Sequence, residues 1–496
     1  MLSRLRQAAS SLKSRNAKNS LWNTCDLLVP PAVLLGLSPV LIAQMGSDEF
    51  GFWMLLNSFI GFIGALNFGL GDATIKYAAS HQVEGGLRRR EFAANLVVVF
   101  SLLGLVVGAA VVLAADWLVR SVFSVEPGFV DRAGELMTFG GIWLGAKLIE
   151  SGLVALVKGS QRYDLVAKIT IVENVGVIVA ALVFSTLGFG LLQVLYFAIA
   201  AVLLAIAYLL RTITRLFDLR EFRLFAGIGN LAELAPFSFW SWLQGIAGSV
   251  FNQVDKLLIG ATIGVATLSV YVVSLQIGQL IHAVFAAATA FLFPLTSQLL
   301  ASGDDTPLAR LFARSMSIVI PAAAALTIFI VVIADFVLVS AFGLEFSESG
   351  TVLLRLNAIA FGGLALSVIP YYIINGAGLV RINVYFAVSS AVIITAVLPT
   401  FLEMYGVMGG SLARLLNFIV IIPYLVVVKT RIVKSLTWTT LLRQIAGFVL
   451  PVGALAVVVY RYPPDAAPAT VFAAIAAAGL GWVTSWLVVG RQRFDH

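Results

Sequence analysis

The chain has 496 residues, of which 60% are apolar and 11% charged, with a mean hydropathy of +0.99. A soluble domain carries roughly 25% charged residues, so these proportions exclude a soluble globular protein, and they exclude a disordered chain as well. A formal charge of +7 on such a chain points to orientation in a membrane rather than to nucleic acid, and the single cysteine, Cys25, excludes a disulfide scaffold.

Crossing a bilayer as a helix takes about 20 apolar residues. The apolar runs here are continuous rather than alternating, which excludes a β-barrel. Residues 1–20 form a basic tail with Arg4, Arg6, Lys13, Arg15 and Lys18. The apolar stretch that follows is long enough to span and lacks a small-residue cleavage site, so it reads as a retained first helix and not as a secretory signal. Pro30, Pro31 and Pro39 fall within it and predict a kink.

In chain order the predicted spans are 21–45, 50–75, 92–118, 136–157, 167–187 and 191–211, then 237–260, 267–296, 315–341, 351–374, 383–402 and 407–428, and finally 443–460 and 468–489. The predicted fold is an all-α polytopic membrane protein with fourteen transmembrane helices. Its parts are an N-lobe (21–212), a linker (213–236), a C-lobe (237–429), two further helices (430–490) and a short C-terminus (491–496). In the linker, Leu216, Phe217, Leu219, Phe222 and Phe225 interleave with Arg215, Arg220 and Arg223, the pattern of an amphipathic helix on the cytosolic face. Asp305-Thr306-Pro307 carries the N-cap and N1 signals of a second short helix.

Loop charge supports the count. With the N-terminus in the cytosol, 25 of the 32 Lys and Arg residues fall in inside segments, and only Arg120, Arg132 and Arg461 fall outside. A missed span would flip every later loop and blur that split, so both termini are expected inside.

The two halves also repeat. Gly46 matches Gly264 and Gly188 matches Gly406 at an offset of 218, and Lys158-Gly159-Ser160 matches Asn375-Gly376-Ala377 at 217. Six spans per half make the repeat parallel, with a pseudo-two-fold axis along the membrane normal and transport by alternating access of two lobes. The last two helices lie outside the repeat.

Gly51, Trp53 and Gly69-Leu70-Gly71-Asp72-Ala73, together with Asn252-Gln253-Val254-Asp255-Lys256-Leu257-Leu258-Ile259-Gly260, Tyr271 and Phe293-Pro294, resemble the two half-openings of bacterial polysaccharide flippases. Those flippases belong to the multidrug/oligosaccharidyl-lipid/polysaccharide exporter superfamily. The resemblance implies an inner-membrane protein that moves a lipid-linked oligosaccharide, carried on undecaprenyl pyrophosphate, to the outer leaflet for O-antigen, capsule or exopolysaccharide assembly. A proton- or sodium-coupled multidrug or metabolite exporter of the same superfamily is the alternative. A membrane-embedded glycosyltransferase or polymerase would need large outer loops, and the longest here is about 119–135.

A charge deep in a span costs at least ~2.5–3.5 kcal/mol on insertion scales, so each needs a partner, water or a function. The candidates for binding an anionic head group are Lys147 and Arg414, followed by Lys256 and Arg355. Arginine offers paired donors to phosphate. Against this stand the pairing of Lys147 with Glu150 three residues on, the adjacency of Asp255 to Lys256, and a snorkelling Arg355. Glu173, Asp26, His282 and Glu150 are the candidates for proton or sodium coupling. Gly104 and Gly108, with Gly141 and Gly145, have the spacing of close helix packing. There is no P-loop, no metal-spaced cluster and no nucleophile motif, and only three histidines, so no catalytic residue, metal or cofactor is expected.

Overall fold

The computed structural model describes residues 2–67, 69–71, 74–75, 87–217, 235–300, 306–461 and 469–489, with the backbone alone for 2–28, 63–64, 87–89, 235–238, 240–241, 294, 460 and 469. Among these residues there is helix and turn but no strand, as expected where backbone groups find no water to bond.

The helices run α1 (Leu2–Gly61), α2 (Ile63–Leu66), α3 (Leu87–Trp117), α4 (Val130–Gly159), α5 (Tyr163–Thr186), α6 (Leu191–Phe217), α7 (Ala235–Thr262) and α8 (Val265–Thr289). They continue as α9 (Leu292–Leu300), α10 (Thr306–Phe342), α11 (Leu344–Leu364), α12 (Val368–Gly376) and α13 (Val380–Tyr405). The last four are α14 (Met408–Leu415), α15 (Phe418–Arg431), α16 (Trp438–Arg461) and α17 (Ala469–Val489).

Among the described residues, 12 helices are long and apolar enough to cross a membrane. The difference from fourteen has two causes. The first and second predicted spans are joined in α1, which is interrupted at Gly46 (φ 83°). The seventh, α7, has its apolar run diluted by Gln244, Asn252, Gln253, Asp255 and Lys256.

Pro30, Pro31 and Pro39 lie within α1, whose one non-helical residue is Gly46. One other expectation is adjusted. Thr306-Pro307 does start a helix, but that helix runs on to Phe342 instead of ending as a short separate one. Most of the predicted amphipathic linker (218–234), together with Asp72, Ala73 and Lys76, lies outside the described residues.

The chain forms two compact units, residues 1–269 and 270–496. In the first, Phe92, Leu96 and Phe100 of α3 pack with Leu153, Leu156 and Val157 of α4, Val166 of α5, and Leu209 and Ile213 of α6. Lipid supplies little hydrophobic drive, so close contact must do the work. The predicted small-residue seam does this: a Cβ on Gly104 would lie 2.5 Å from the Gly145 carbonyl oxygen, and one on Gly108 would lie 3.1 Å from that of Gly141. Helix α7 belongs to this unit; it packs on α1 and α2, and Trp242 Nε1 donates to the Ala65 carbonyl at 2.9 Å. In the second unit, the added α16 and α17 both pack on α10.

The repeat is written in the backbone. Residues with left-handed φ recur at the expected offsets: Gly46 (83°) with Gly264 (130°), Gln161 (57°) with Gly378 (72°), and Gly188 (82°) with Gly406 (56°). Gln161 is the one non-glycine among the described residues with positive φ, where a side chain costs roughly 1–2 kcal/mol. Glycine also loses more freedom on folding, so Gln161→Gly is expected to stabilise the protein by about 0.5 kcal/mol. Thermal denaturation in detergent checks this as a small rise in apparent Tm; a fall would show that the Gln161 side-chain contacts outweigh its strain.

The two units differ inside matched spans. At the same offset α4 corresponds to α11 and α12, yet α4 is continuous while its counterpart is broken by a 3₁₀ turn at Ala365–Ser367. Helix α6 is likewise continuous, while its counterpart breaks between α14 and α15 at Leu416–Asn417.

Candidate functional site

Three of the sequence candidates meet inside the first unit. Lys147 and Glu150 share one face of α4, three residues apart. Helix α5 brings Glu173 to the same point, a partner that spacing along the chain could not reveal. Lys147 Nζ donates to Glu150 Oε2 at 2.6 Å and to Glu173 Oε1 at 3.0 Å. The lysine side chain is 13% exposed and each carboxylate 4%. The other carboxylate oxygens, Glu150 Oε1 and Glu173 Oε2, are buried with no hydrogen-bond partner among the described residues. Trp143, one turn before Lys147, is buried too, and its Nε1 has no partner among the described residues.

One ammonium between two carboxylates carries a net charge of −1 when all three are ionised. Burying a charge costs several kcal/mol unless it is paired, and pairing here accounts for only two of the three charges. The surplus is negative, so the triad suits a cation better than a phosphate.

The fold does not require this charge. At an offset of 218, the counterparts of Lys147, Glu150 and Glu173 are Ala365, Val368 and Ala391; at 217 they are Leu364, Ser367 and Ser390. None is ionisable, and the second unit packs matched helices without them.

Arg414 lies in the second unit on the last turn of α14, 2% exposed. Its Nε donates to the Tyr271 hydroxyl at 3.4 Å, and its guanidinium sits 5.4 Å from the Phe361 ring centroid, within the range of a cation–π contact. One turn before Phe361, Asn357 is fully buried, and neither amide atom has a hydrogen-bond partner among the described residues. Helix α8 comes close at this level, because a Cβ on Gly278 would lie 3.0 Å from the Asn357 carbonyl carbon. Directly after Arg414 the helix breaks: Leu416 N–H donates to the Ala413 carbonyl and Asn417 N–H to that of Arg414. Broken spans are where many membrane transporters place substrate and ion sites. Neither Asn357 nor the break was anticipated from sequence; Gly409-Gly410 and Pro423, flanking the break, were its available signals.

Two further candidates make contacts of their own. Lys256 Nζ donates to Gln253 Oε1 at 2.9 Å, while its backbone N–H donates to Asp255 Oδ1 at 3.0 Å. Arg355 Nε donates to the Val331 carbonyl at 3.2 Å. One turn along α10 from Val331, Asp335 Oδ1 accepts from Ser347 Oγ at 2.7 Å and Thr351 Oγ1 at 3.1 Å, a cluster the sequence reading passed over. His282 is half-buried on α8 with no hydrogen-bond partner among the described residues. The Asp26 side chain lies outside the description. A cavity of about 670 Å³ in the first unit is lined by Asp48, Arg120, Glu126 and Thr267 and by none of the eight candidates.

A family model described as "Polysaccharide biosynthesis protein" matches residues 44–350. Among solved structures, the lipid II flippase MurJ in an inward closed conformation is similar over 94% of this chain and 97% of its own, with a TM-score of 0.71 and 11% identity. An inward-facing multidrug resistance MATE family transporter of the MOP superfamily is similar over 84% and 96%, with a TM-score of 0.65 and 16% identity. An outward-facing MATE family transporter is similar over 86% and 97%, with a TM-score of 0.57 and 18% identity. At these identities the likeness is one of fold. No curated protein matches the chain. Since the family model spans more than half of the sequence and the helices take the fold of these transporters, the protein is a multi-pass membrane protein that belongs to the polysaccharide biosynthesis protein family.

Proposed function

We propose that the protein moves a polyprenyl-pyrophosphate-linked oligosaccharide, of the undecaprenyl type, from the cytosolic to the outer leaflet of a bacterial inner membrane. It works by alternating access of two lobes, with both termini cytosolic, and makes or breaks no covalent bond. The observation that carries this reading is the pairing of a polysaccharide-biosynthesis family match with a transporter fold that a lipid flippase also adopts. Arg414 suits a pyrophosphate, because its buried guanidinium supplies a planar donor fork. A cation gradient drives the cycle through the buried carboxylates of the first unit.

Removing the protein from a strain with no second flippase is expected to strand lipid-linked glycan on the cytosolic face. Unchanged delivery to the outer leaflet overturns the reading. Arg414→Lys keeps the charge and loses the fork, and is expected to slow delivery by about tenfold at an unchanged protein level. Delivery at the normal rate in both Arg414→Lys and Arg414→Gln would remove Arg414 from the head-group site. Proton-dependent efflux of a soluble organic cation would favour the exporter alternative instead.

A further inference from the structure

We infer that the Lys147–Glu150–Glu173 triad is a binding site for a single exchangeable proton, shared by the two carboxylates, with Lys147 as its fixed counter-charge and not as a contact for the substrate. The site follows from geometry in the first unit; only its use in transport rests on the flippase reading.

The proton requirement comes from charge. Both carboxylates bond the same ammonium, and two anions gathered around one cation in low dielectric resist being ionised together. One proton added to either Glu150 or Glu173 takes the triad from −1 to neutral. The two unpartnered oxygens, on side chains more than nine-tenths buried, are where it would reside.

Sodium fits poorly. Hard cations take about six oxygen ligands, whereas this site offers two unpartnered carboxylate oxygens, and the Lys147 ammonium already occupies the position between the carboxylates.

The helices around the triad carry no other charge along their middle stretches. Along α3 from Phe92 to Ala115 there is no ionisable residue, and along α6 from Leu191 to Leu210 there are only Tyr196 and Tyr208. Along α1 the nearest ionisable residues are Asp26 and Asp48, which bracket an uncharged stretch. On α5 the others are Tyr163, Asp164 and Lys168, at its start; on α4 they are Asp131, Arg132, Glu135 and Lys158, toward its ends. The matched positions of the second unit carry no ionisable group, so the triad has no counterpart there.

The test uses the full chain in lipid nanodiscs, titrated over roughly pH 5 to 9, with infrared difference spectroscopy reading the protonated-carboxyl band and a pH dye counting protons. The expected result is one buried carboxyl titrating in the wild type. It is lost in Glu173→Gln and, separately, in Glu150→Gln, each of which leaves a neutral lysine–carboxylate pair. It is unchanged when sodium replaces potassium. A flat titration, a band that persists in both variants, or a sodium-dependent shift that vanishes in Glu173→Gln would each overturn the inference. No substrate enters this measurement, so it stands or falls separately from glycan delivery. Should delivery fail to depend on the protein while the band behaves as expected, the proton site survives and the flippase reading does not.

Discussion

Replacing Lys147 with methionine is expected to destabilise the protein by about 3 kcal/mol or more, the scale of removing one partner from a buried ion pair. The substitution preserves most of the volume, so the loss is electrostatic: Glu150 and Glu173 remain, 4% exposed, with no ammonium between them. The apparent Tm of the purified variant, followed by heating and size-exclusion chromatography, checks this. The triple variant Lys147→Met, Glu150→Gln, Glu173→Gln removes all three charges and is expected to recover most of the loss, because neutral side chains of similar shape replace buried ion pairs at little cost. Glycan delivery stays impaired in the triple variant if the triad carries the coupling proton. A triple variant as unstable as Lys147→Met would show that packing, and not charge, makes Lys147 indispensable.

Gly51→Val is the second change with a large expected effect. Gly51 is buried on α1 just beyond the Gly46 interruption, and a Cβ there would collide with the carbonyl oxygen of Val265, at the first residue of α8. A flexible side chain can move aside, but a carbonyl at a helix start cannot move without shifting the helix. Overpacking in a well-filled interior typically costs 1–3 kcal/mol, and a backbone collision puts the valine variant at about 3 kcal/mol or beyond. The expected outcome is loss of the monodisperse protein on size-exclusion chromatography. By contrast, Gly176→Val changes a glycine whose Cβ would have no neighbour within 4 Å, and should be tolerated. A monodisperse Gly51→Val protein would show that α1 and α8 can separate at this point.

The architecture was legible because its determinants are local. Whether 20 consecutive residues can sit in hydrocarbon depends on those residues alone. The repeat was legible for a related reason: left-handed turns demand small residues, so Gly46, Gly188, Gly264 and Gly406 stand out in sequence before their φ angles are known. Gln161 shows the limit, since its turn matches that of Gly378 without the glycine that would have announced it.

The site was legible only in part. A charge within an apolar run flags itself, which is why Lys147, Glu150, Glu173 and Arg414 were singled out individually, and the Lys147–Glu150 pair follows from helical spacing. That Glu173 completes that pair, 26 residues from Lys147 on another helix, is a matter of which faces of α4 and α5 meet. The same holds for Tyr271, 143 residues from Arg414, and for Asn357, whose burial no local pattern marks.

From its sequence alone this protein is fixed as a repeated, multi-span helical bundle with buried charges, because hydrocarbon leaves only helices and closed barrels to satisfy the backbone and continuous apolar runs exclude the barrel. The tertiary structure alone decided how those charges are grouped: a net-negative triad in the first unit and a buried arginine against Tyr271 and Phe361 in the second. The physical reason is that desolvation is a property of each residue, legible one position at a time, whereas its compensation depends on distances between helices that chain order does not encode.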